Sequence, residues 1–269
     1  MLVARDINFS RGHRQILTAV SGEVRPGRVT ALVGPNGAGK YTLLKLFSGE
    51  LTPASGLIEI NGQALARWAG RDIAQRRAVL PQESHLAFAF PAREVVMMGR
   101  FPHLRGSETA RDAEICGDAL AKVEAGHLAE RLYPTLSSGE KQRVQLARVL
   151  AQIWEPPSSG PRCLLLDEPT AGLDLAHQHD ALRLAQEWAR NGAVVLAVLH
   201  DLNLAMTYAD DAWVLESGRL VAAGPVVEVL TAPLIARVFN VSAELLPRPG
   251  ESRPVLLTRP RAGKIADGK

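Results

Sequence analysis

The stretch LVGPNGAGKYTLL, residues 32–44, follows the pattern G-x-x-x-x-G-K-[ST] up to its last position. Gly34, Gly39 and Lys40 fall where a phosphate-binding loop needs them. The run RVTALVG (28–34) reads as a buried strand feeding the loop, and KYTLLKLFSGE (40–50) as the helix leaving it. Strand, glycine loop and helix N-terminus in that order make an anion site. Backbone N–H groups point inward and the helix dipole adds about half a positive charge. Gly34, Pro35, Asn36, Gly37, Ala38, Gly39, Lys40, Tyr41 and Thr42 form the candidate nucleotide-binding run, with Lys40 placed for the β- and γ-phosphates. The last motif position departs from the pattern. Where a Ser or Thr hydroxyl would hold Mg²⁺, this chain has Tyr41. A phenol oxygen sits across a full ring and overshoots a metal that takes its oxygens at about 2.0–2.1 Å. Thr42 points about 100° further round the helix and does not replace it. The expectation is that nucleotide binding survives and that hydrolysis is poorer than with serine at 41.

Working outward, strand-length apolar runs alternate with helical patterns, which predicts an α/β fold with a largely parallel central sheet. LVARDINF and TAVSGEVRPG read as early antiparallel strands, and GLIEINGQAL (56–65) as a hairpin turning at Asn61-Gly62. Residues 86–155 read as mostly helical, with one helix over 108–124 capped by Ser107 and a second from Gly139 to Trp154. EPPSSGP (155–161) breaks the chain. CLLLD (163–167) and VVLAVLH (194–200) then return as buried strands, separated by a helix ending at Asn191-Gly192. AWVLESGRLVAAG reads as a closing hairpin, and TAPLIARVF as a helix capped by Thr231.

Two further elements carry chemistry. In CLLLDEP the apolar run places Asp167 at the carboxyl end of a buried strand, where α/β folds present ligand groups. Asp167 suits Mg²⁺, directly or through water, and Glu168 suits a general base that polarises an attacking water. In TLSSGEKQRVQLARVLAQ (135–152) small polar residues open a helix and offer a second set of N–H donors.

Glycine loop, signature-like TLSSGE and LLLDEP, in this order, closely resemble the nucleotide-binding subunit of ATP-binding cassette (ABC) transporters, over about residues 2 to 240. The resemblance implies a P-loop NTPase (RecA-like) core with a mixed sheet, an antiparallel β subdomain and a helical insertion. It divides the chain into a core of 1–85 and 156–240, a helical part of 86–155 and a C-terminal tail of 241–269. It implies ATP and Mg²⁺ as ligands, with Asp167 and Gln82 toward the metal and Glu168, His200 and Gln82 as the catalytic set. Phe9 falls where the family places an aromatic ring against adenine. Ser137, Ser138, Gly139 and Glu140 match the signature and Asp174 the residue that crosses to the partner, all acting in trans in a head-to-tail homodimer. Ser138 replaces the family's usual glycine, which costs something only if that backbone needs φ > 0.

EVVMMGRFPH (94–103) resembles the branch serving metal-chelate importers of haem, ferric siderophores and vitamin B12. WEPPSSGPR, AGLDLAHQH and FNVSAELLPRPG most resemble the ATP-binding subunit of haem importers. The implied setting is the cytoplasmic face of the inner membrane. The implied partners are two copies of a separate polytopic permease and a periplasmic substrate-binding protein, with no nucleic acid. Soluble cassette ATPases of DNA repair, chromosome organisation or translation are the second class, and a nucleotide-binding regulator that has lost hydrolysis the third. The former usually carry a long coiled coil or two cassettes, and this chain has neither.

The remaining features fit that reading. The chain has 269 residues, 46% hydrophobic and 22% charged, with no run long enough to cross a bilayer. Its pI of about 9.1 traces to residues 248–269, where Arg248, Arg253, Arg259, Arg261, Lys264 and Lys269 face only Glu251 and Asp267. The body is nearly neutral, which disfavours a nucleic-acid surface, and the basic tail reads as solvated. Cys116 and Cys163 read as buried free thiols. His177 and His179 are two apart on a helix, face different sides and read as surface histidines. His85, Phe88 and Phe90 either line a groove for the membrane subunit or pack locally.

Overall fold

The computed structural model describes residues 1–82, 88–250 and 252–261. In chain order the strands are β1 (Leu2–Arg11), β2 (Arg14–Val24), β3 (Val29–Val33), β4 (Ser55–Ile60), β5 (Gln63–Ala64), β6 (Arg77–Leu80), β7 (Cys163–Asp167), β8 (Val194–Val198), β9 (Asp211–Glu216), β10 (Arg219–Pro225), β11 (Val241–Leu246) and β12 (Val255–Pro260). The helices are α1 (Lys40–Ser48), α2 (Gly70–Ala74), α3 (Ala92–Met97), α4 (Ala110–Lys122), α5 (Ser138–Gln152), α6 (Leu175–Arg190), α7 (Leu202–Tyr208), α8 (Val226–Val229) and α9 (Ala232–Phe239).

The central sheet has the order β10-β9-β3-β8-β7-β6 and is parallel except for the β9–β10 hairpin. Both its faces are covered, and successive residues alternate between two cores. Ala31, Val33, Leu164, Leu166, Val195 and Ala197 pack toward the helices from α3 to α9. Leu32, Leu165, Val194, Leu196 and Val198 pack toward α1 and the antiparallel sheet β2-β1-β4-β5. Two buried faces explain why β3, β7 and β8 read as continuous apolar runs.

The helix α1 is nine residues long, too short to persist alone, and is held by packing. Leu43, Leu44, Leu46 and Phe47 are buried in the second core, each worth about 1.5–3 kcal/mol relative to exposure. That anchorage fixes the height at which the glycine loop meets the sheet. The turn between β4 and β5 falls at Asn61 (φ 54°) and Gly62 (φ 78°), as the two-residue hairpin signal requires.

Three local expectations are corrected. The cap of α4 is Thr109, not Ser107: its hydroxyl accepts the Asp112 N–H, and Asp112 accepts the Thr109 N–H at 3.1 Å. The signature helix begins one residue earlier than read and ends at Gln152, so Trp154 lies beyond it and packs edge-on against Trp188. Part of the stretch read as a solvated tail, Val255–Pro260, is β12, which pairs with β11 in a hairpin that packs on α9 and α7 and buries Leu256 in the first core; residues 262–269 lie outside the described residues.

Candidate active site

The strand β3 ends in the glycine loop at a point where only glycine fits. Gly34 has φ 153°, and a Cβ there would lie 2.2 Å from the Leu215 carbonyl oxygen of β9. Gly39 has φ 102°, and its Cβ would lie 2.7 Å from Leu17 Cδ2. The loop therefore hugs the neighbouring strands and leaves its backbone amides at the base of an open cleft of about 330 Å³. Lys40 is buried and donates from Nζ to the carbonyls of Gly34 at 2.7 Å and Pro35 at 3.1 Å. Burial lowers its pKa, while the carboxylates of Glu168 and Asp167 act in the opposite sense. A cation so placed gains from an arriving anion.

Asn36 to Thr42, Gln82, Asp167, Glu168 and His200 line this cleft. Glu168 sits in the left-handed region at φ 50°, which turns its side chain out of the strand end at some backbone cost. Both its oxygens are engaged. Oε1 is 2.5 Å from His200 Nε2, and Oε2 accepts from Gln82 Nε2 at 3.1 Å. Three residues from three separate segments are thereby joined through one carboxylate.

Asp167 ends β7 almost wholly buried. Its Oδ2 meets no hydrogen-bond donor, and among the described residues it is the one cleft residue with such an orphaned atom. Burial, seconded by the Glu168 charge, pushes its carboxyl up to about 6. Among the described residues no cluster of three His, Cys, Asp or Glu side chains is arranged to hold a metal unaided. A lone orphaned carboxylate beside a phosphate loop suits Mg²⁺, which takes one or two carboxylates, phosphate oxygens and several waters. The donor set fits with one protein oxygen fewer than the motif provides, because Tyr41 contributes no short hydroxyl.

The raised Asp167 pKa has a signed consequence for the nucleotide-free, metal-free protein. The folded state holds this proton more tightly than the unfolded chain, so stability is lost as pH rises from 3.8 through about 6. The full loss is about 3 kcal/mol, of which roughly half falls between pH 5 and pH 8. Denaturant titrations of Asp167→Asn and parent at both pH values are expected to show that extra pH dependence only in the parent. Parallel curves would contradict it.

Other sequence candidates lie elsewhere. Phe9 is half-buried against the second core, and the cleft wall on that side is made by Arg14 and Ile16 of β2. Ser137, Ser138, Gly139, Glu140 and Asp174 do not line the cleft. Ser137 caps α5: its Oγ accepts the Glu140 N–H at 3.3 Å while Glu140 Oε2 accepts the Ser137 N–H at 2.7 Å. That backbone bond holds the Glu140 carboxyl below its ordinary range, and Arg131 bonds its other oxygen at 2.7 Å. Ser138 is helical with no positive φ, so the serine there carries no backbone penalty. Asp174 caps α6, accepting from the His177 N–H at 2.9 Å, which lowers its pKa. His179 is paired with the Tyr208 hydroxyl at 2.6 Å. Phe88 is largely exposed and stacks edge-on with half-buried Phe90, and His85 lies outside the described residues.

A parallel sheet, a glycine loop at the end of its inner strand and an acidic pair at the end of the next but one define an ATPase of the P-loop class. The chain belongs to the ABC transporter family, whose profile matches residues 17–171. The hemin import ATP-binding protein HmuV of Gloeobacter violaceus is 51% identical over 269 residues, spanning 100% of this chain and 98% of the relative. The protein of that name from Pseudomonas aeruginosa is 46% identical, spanning 96% and 100%. Among solved structures, a metal-chelate type ABC transporter in an inward-facing conformation superposes with a TM-score of 0.81 at 25% identity, covering 97% of this chain and 98% of that one. A dimeric bacterial ABC transporter cassette shares the fold, with a TM-score of 0.74 at 22% identity over 84% and 99% of the two chains. Among the described residues no helix is long and apolar enough to cross a membrane.

Proposed function

We propose that this chain is the ATP-hydrolysing subunit of a haem importer, acting at the cytoplasmic face of the inner membrane on a separate polytopic permease. The observation that carries the catalytic part is the Glu168 carboxylate held between His200 and Gln82 at the mouth of the glycine-loop cleft. The cargo rests on near full-length identity to hemin import ATP-binding proteins.

In this reading the loop amides and Lys40 bind the phosphates, with the binding energy of a helix N-terminus behind them. Glu168 accepts a proton from the water that attacks the γ-phosphate, and His200 and Gln82 fix the carboxylate and that water. Asp167, with Gln82 nearby, holds Mg²⁺, which when bound offsets negative charge on the phosphates. Ser137 to Glu140 and Asp174 lie outside the cleft because they serve the cleft of a second copy. ATP then closes two copies head to tail, and hydrolysis lets them part. Two permease copies convert that motion into transport, fed by a periplasmic substrate-binding protein.

The test is to capture the chain with its membrane partner, reconstitute both in vesicles with ATP on the side of this chain, and follow uptake of haem, a ferric siderophore and vitamin B12. ATP-dependent haem accumulation is expected. Uptake of another chelate would keep the ATPase and reject the cargo. A chain that copurifies with DNA or ribosomes and with no polytopic protein would reject transport.

A further inference from the structure

The helix α7 begins two residues after His200 and is capped at its start by Asp201, whose Oδ1 accepts the N–H groups of Asn203 at 2.7 Å and Leu204 at 3.1 Å. Any shift or roll of α7 is therefore passed to His200 through a tight two-residue link. At seven residues α7 has no stability of its own, so what holds its far end decides where it sits.

The last carbonyls of a helix have no partner within it, and here each is met by another segment. Arg253, in the turn of the C-terminal hairpin, donates from Nη1 to the carbonyls of Met206 at 2.8 Å, Thr207 at 3.0 Å and Ala209 at 2.6 Å. Gln186 of α6 takes the Tyr208 carbonyl at 2.9 Å. The same hairpin grips α7 nearer its start. Asn203 donates to the Leu256 carbonyl at 3.1 Å and accepts the Leu256 N–H at 2.8 Å, so a side-chain amide reads one residue of β12 in both directions. Leu256 is buried in the core that also holds Leu204, Ala205 and Met206. Arg253 Nη2 also lies 3.7 Å from Asp210, whose Oδ2 accepts the N–H of Val29, the first residue of the strand that feeds the glycine loop.

We propose that the β11–β12 hairpin is a positioning element for ATP hydrolysis, with Arg253 and Asn203 as positioning residues that set His200 against Glu168 through α7. The inference rests on the role given to His200 above. A guanidinium at a helix C-terminus also interacts favourably with the dipole, but that alone would not call for a second grip at Asn203 beside the link to His200. Neither residue touches the cleft, so their effect is on geometry and not on nucleotide affinity.

The experiment measures kcat and KM for ATP on the full chain assembled with its membrane partner, for the parent, Arg253→Ala, Arg253→Lys, Asn203→Ala and Arg261→Ala. Arg261 is the control, because it bonds Asn240 at the opposite end of the hairpin. Arg253→Ala is expected to lower kcat by about tenfold or more, with KM changed less than about twofold. Arg253→Lys restores part of kcat, because an ammonium still reaches one or two of the carbonyls, and Arg261→Ala matches the parent. Nitrogen-15 spectra of the His200 imidazole supply a readout that stability alone would not move, since its Nε2 environment shifts as the contact to Glu168 loosens. If Arg253→Ala does not fold, Asn203→Ala carries the test with the same expected split. A lowered melting temperature with kcat and the His200 resonance unchanged overturns the proposal. His200→Ala separates the two readings: unchanged turnover there rejects the role of His200 itself, whereas lost turnover there with a normal Arg253→Ala rejects only the hairpin.

Discussion

Glu168→Gln is expected to reduce ATP hydrolysis at least a hundredfold while leaving nucleotide binding intact. The magnitude follows from what an amide cannot do. A positioned general base contributes about 10²–10⁴-fold, and glutamine has no basic oxygen to take a proton from water. The shape of the site survives the exchange. Glutamine has the same backbone demands at φ 50°, its amide oxygen can still face His200, and the Gln82 amide can turn its own oxygen toward the new NH₂. Lys40 and the glycine loop are untouched, so the phosphates keep their cradle. With hydrolysis blocked, the head-to-tail pair should accumulate in the presence of ATP, running on size exclusion at roughly twice the 29.0 kDa of one chain. Hydrolysis within threefold of the parent would reject Glu168 as the base. Lost hydrolysis without an ATP-dependent dimer would keep the base and reject the trans arrangement of Ser137 to Glu140.

The contrast between what was readable in the sequence and what was not has physical causes. The strands β3, β7 and β8 were legible because both faces of the sheet are buried, so all their residues except Thr30 and Asp167 are apolar. The glycine loop was legible because its backbone excludes a Cβ at Gly34 and Gly39. Asp167 and Glu168 were legible from the strand-end motif and Gln82 and His200 through the family resemblance, and the parallel sheet brings all four to one cleft. Phe9 lies on β1 where the pairing with β2 shifts register between Ile7, Phe9 and Ser10, and it packs half-buried on the second core. Ser107 and Thr109 are both good caps, and an aspartate at Asp112 completed the reciprocal bonds that a rule written for Glu or Gln would assign less readily. The C-terminal hairpin was hidden for a different reason. Its strands pair only with each other, half their residues face outward, and its anchorage to α7 depends on Asn203 and Arg253, about fifty residues apart in sequence. No local pattern reports a contact of that range, so the basic composition dominated the reading.

Tyr41→Ser is expected to raise magnesium-dependent ATP hydrolysis by about 10- to 100-fold, which corresponds to about 1.4–2.7 kcal/mol at the transition state. The structure gives the tyrosine a definite place. Its ring is half exposed, lies under the Lys45 ammonium at 4.6 Å from the centroid, and separates the nucleotide cleft from a narrow pocket bounded by Leu44, Ser48, Val79 and Asp167. Lys45 is four residues on, the spacing at which side chains of one helix face meet, and it is paired with Glu50 at 3.2 Å. The ring thus packs against Lys45 while lining the cleft, and Asp167 Oδ2 meets no donor. A serine hydroxyl at the first turn would stand one bond from Cβ and face the loop. The ring would go, Lys45 would keep Glu50, and α1 would lose little, because its buried anchors are Leu43, Leu44, Leu46 and Phe47. Tyr41→Phe separates the two ways in which the tyrosine could matter. If the phenol oxygen is not a ligand, Tyr41→Phe matches the parent while Tyr41→Ser gains. A Tyr41→Phe variant tenfold slower than the parent would show that the phenol reaches the metal shell. Equal magnesium-dependent rates for the parent and Tyr41→Ser would mean that Asp167, Gln82 and water complete the shell unaided, and that position 41 has been released from metal binding to the cation–ring contact with Lys45.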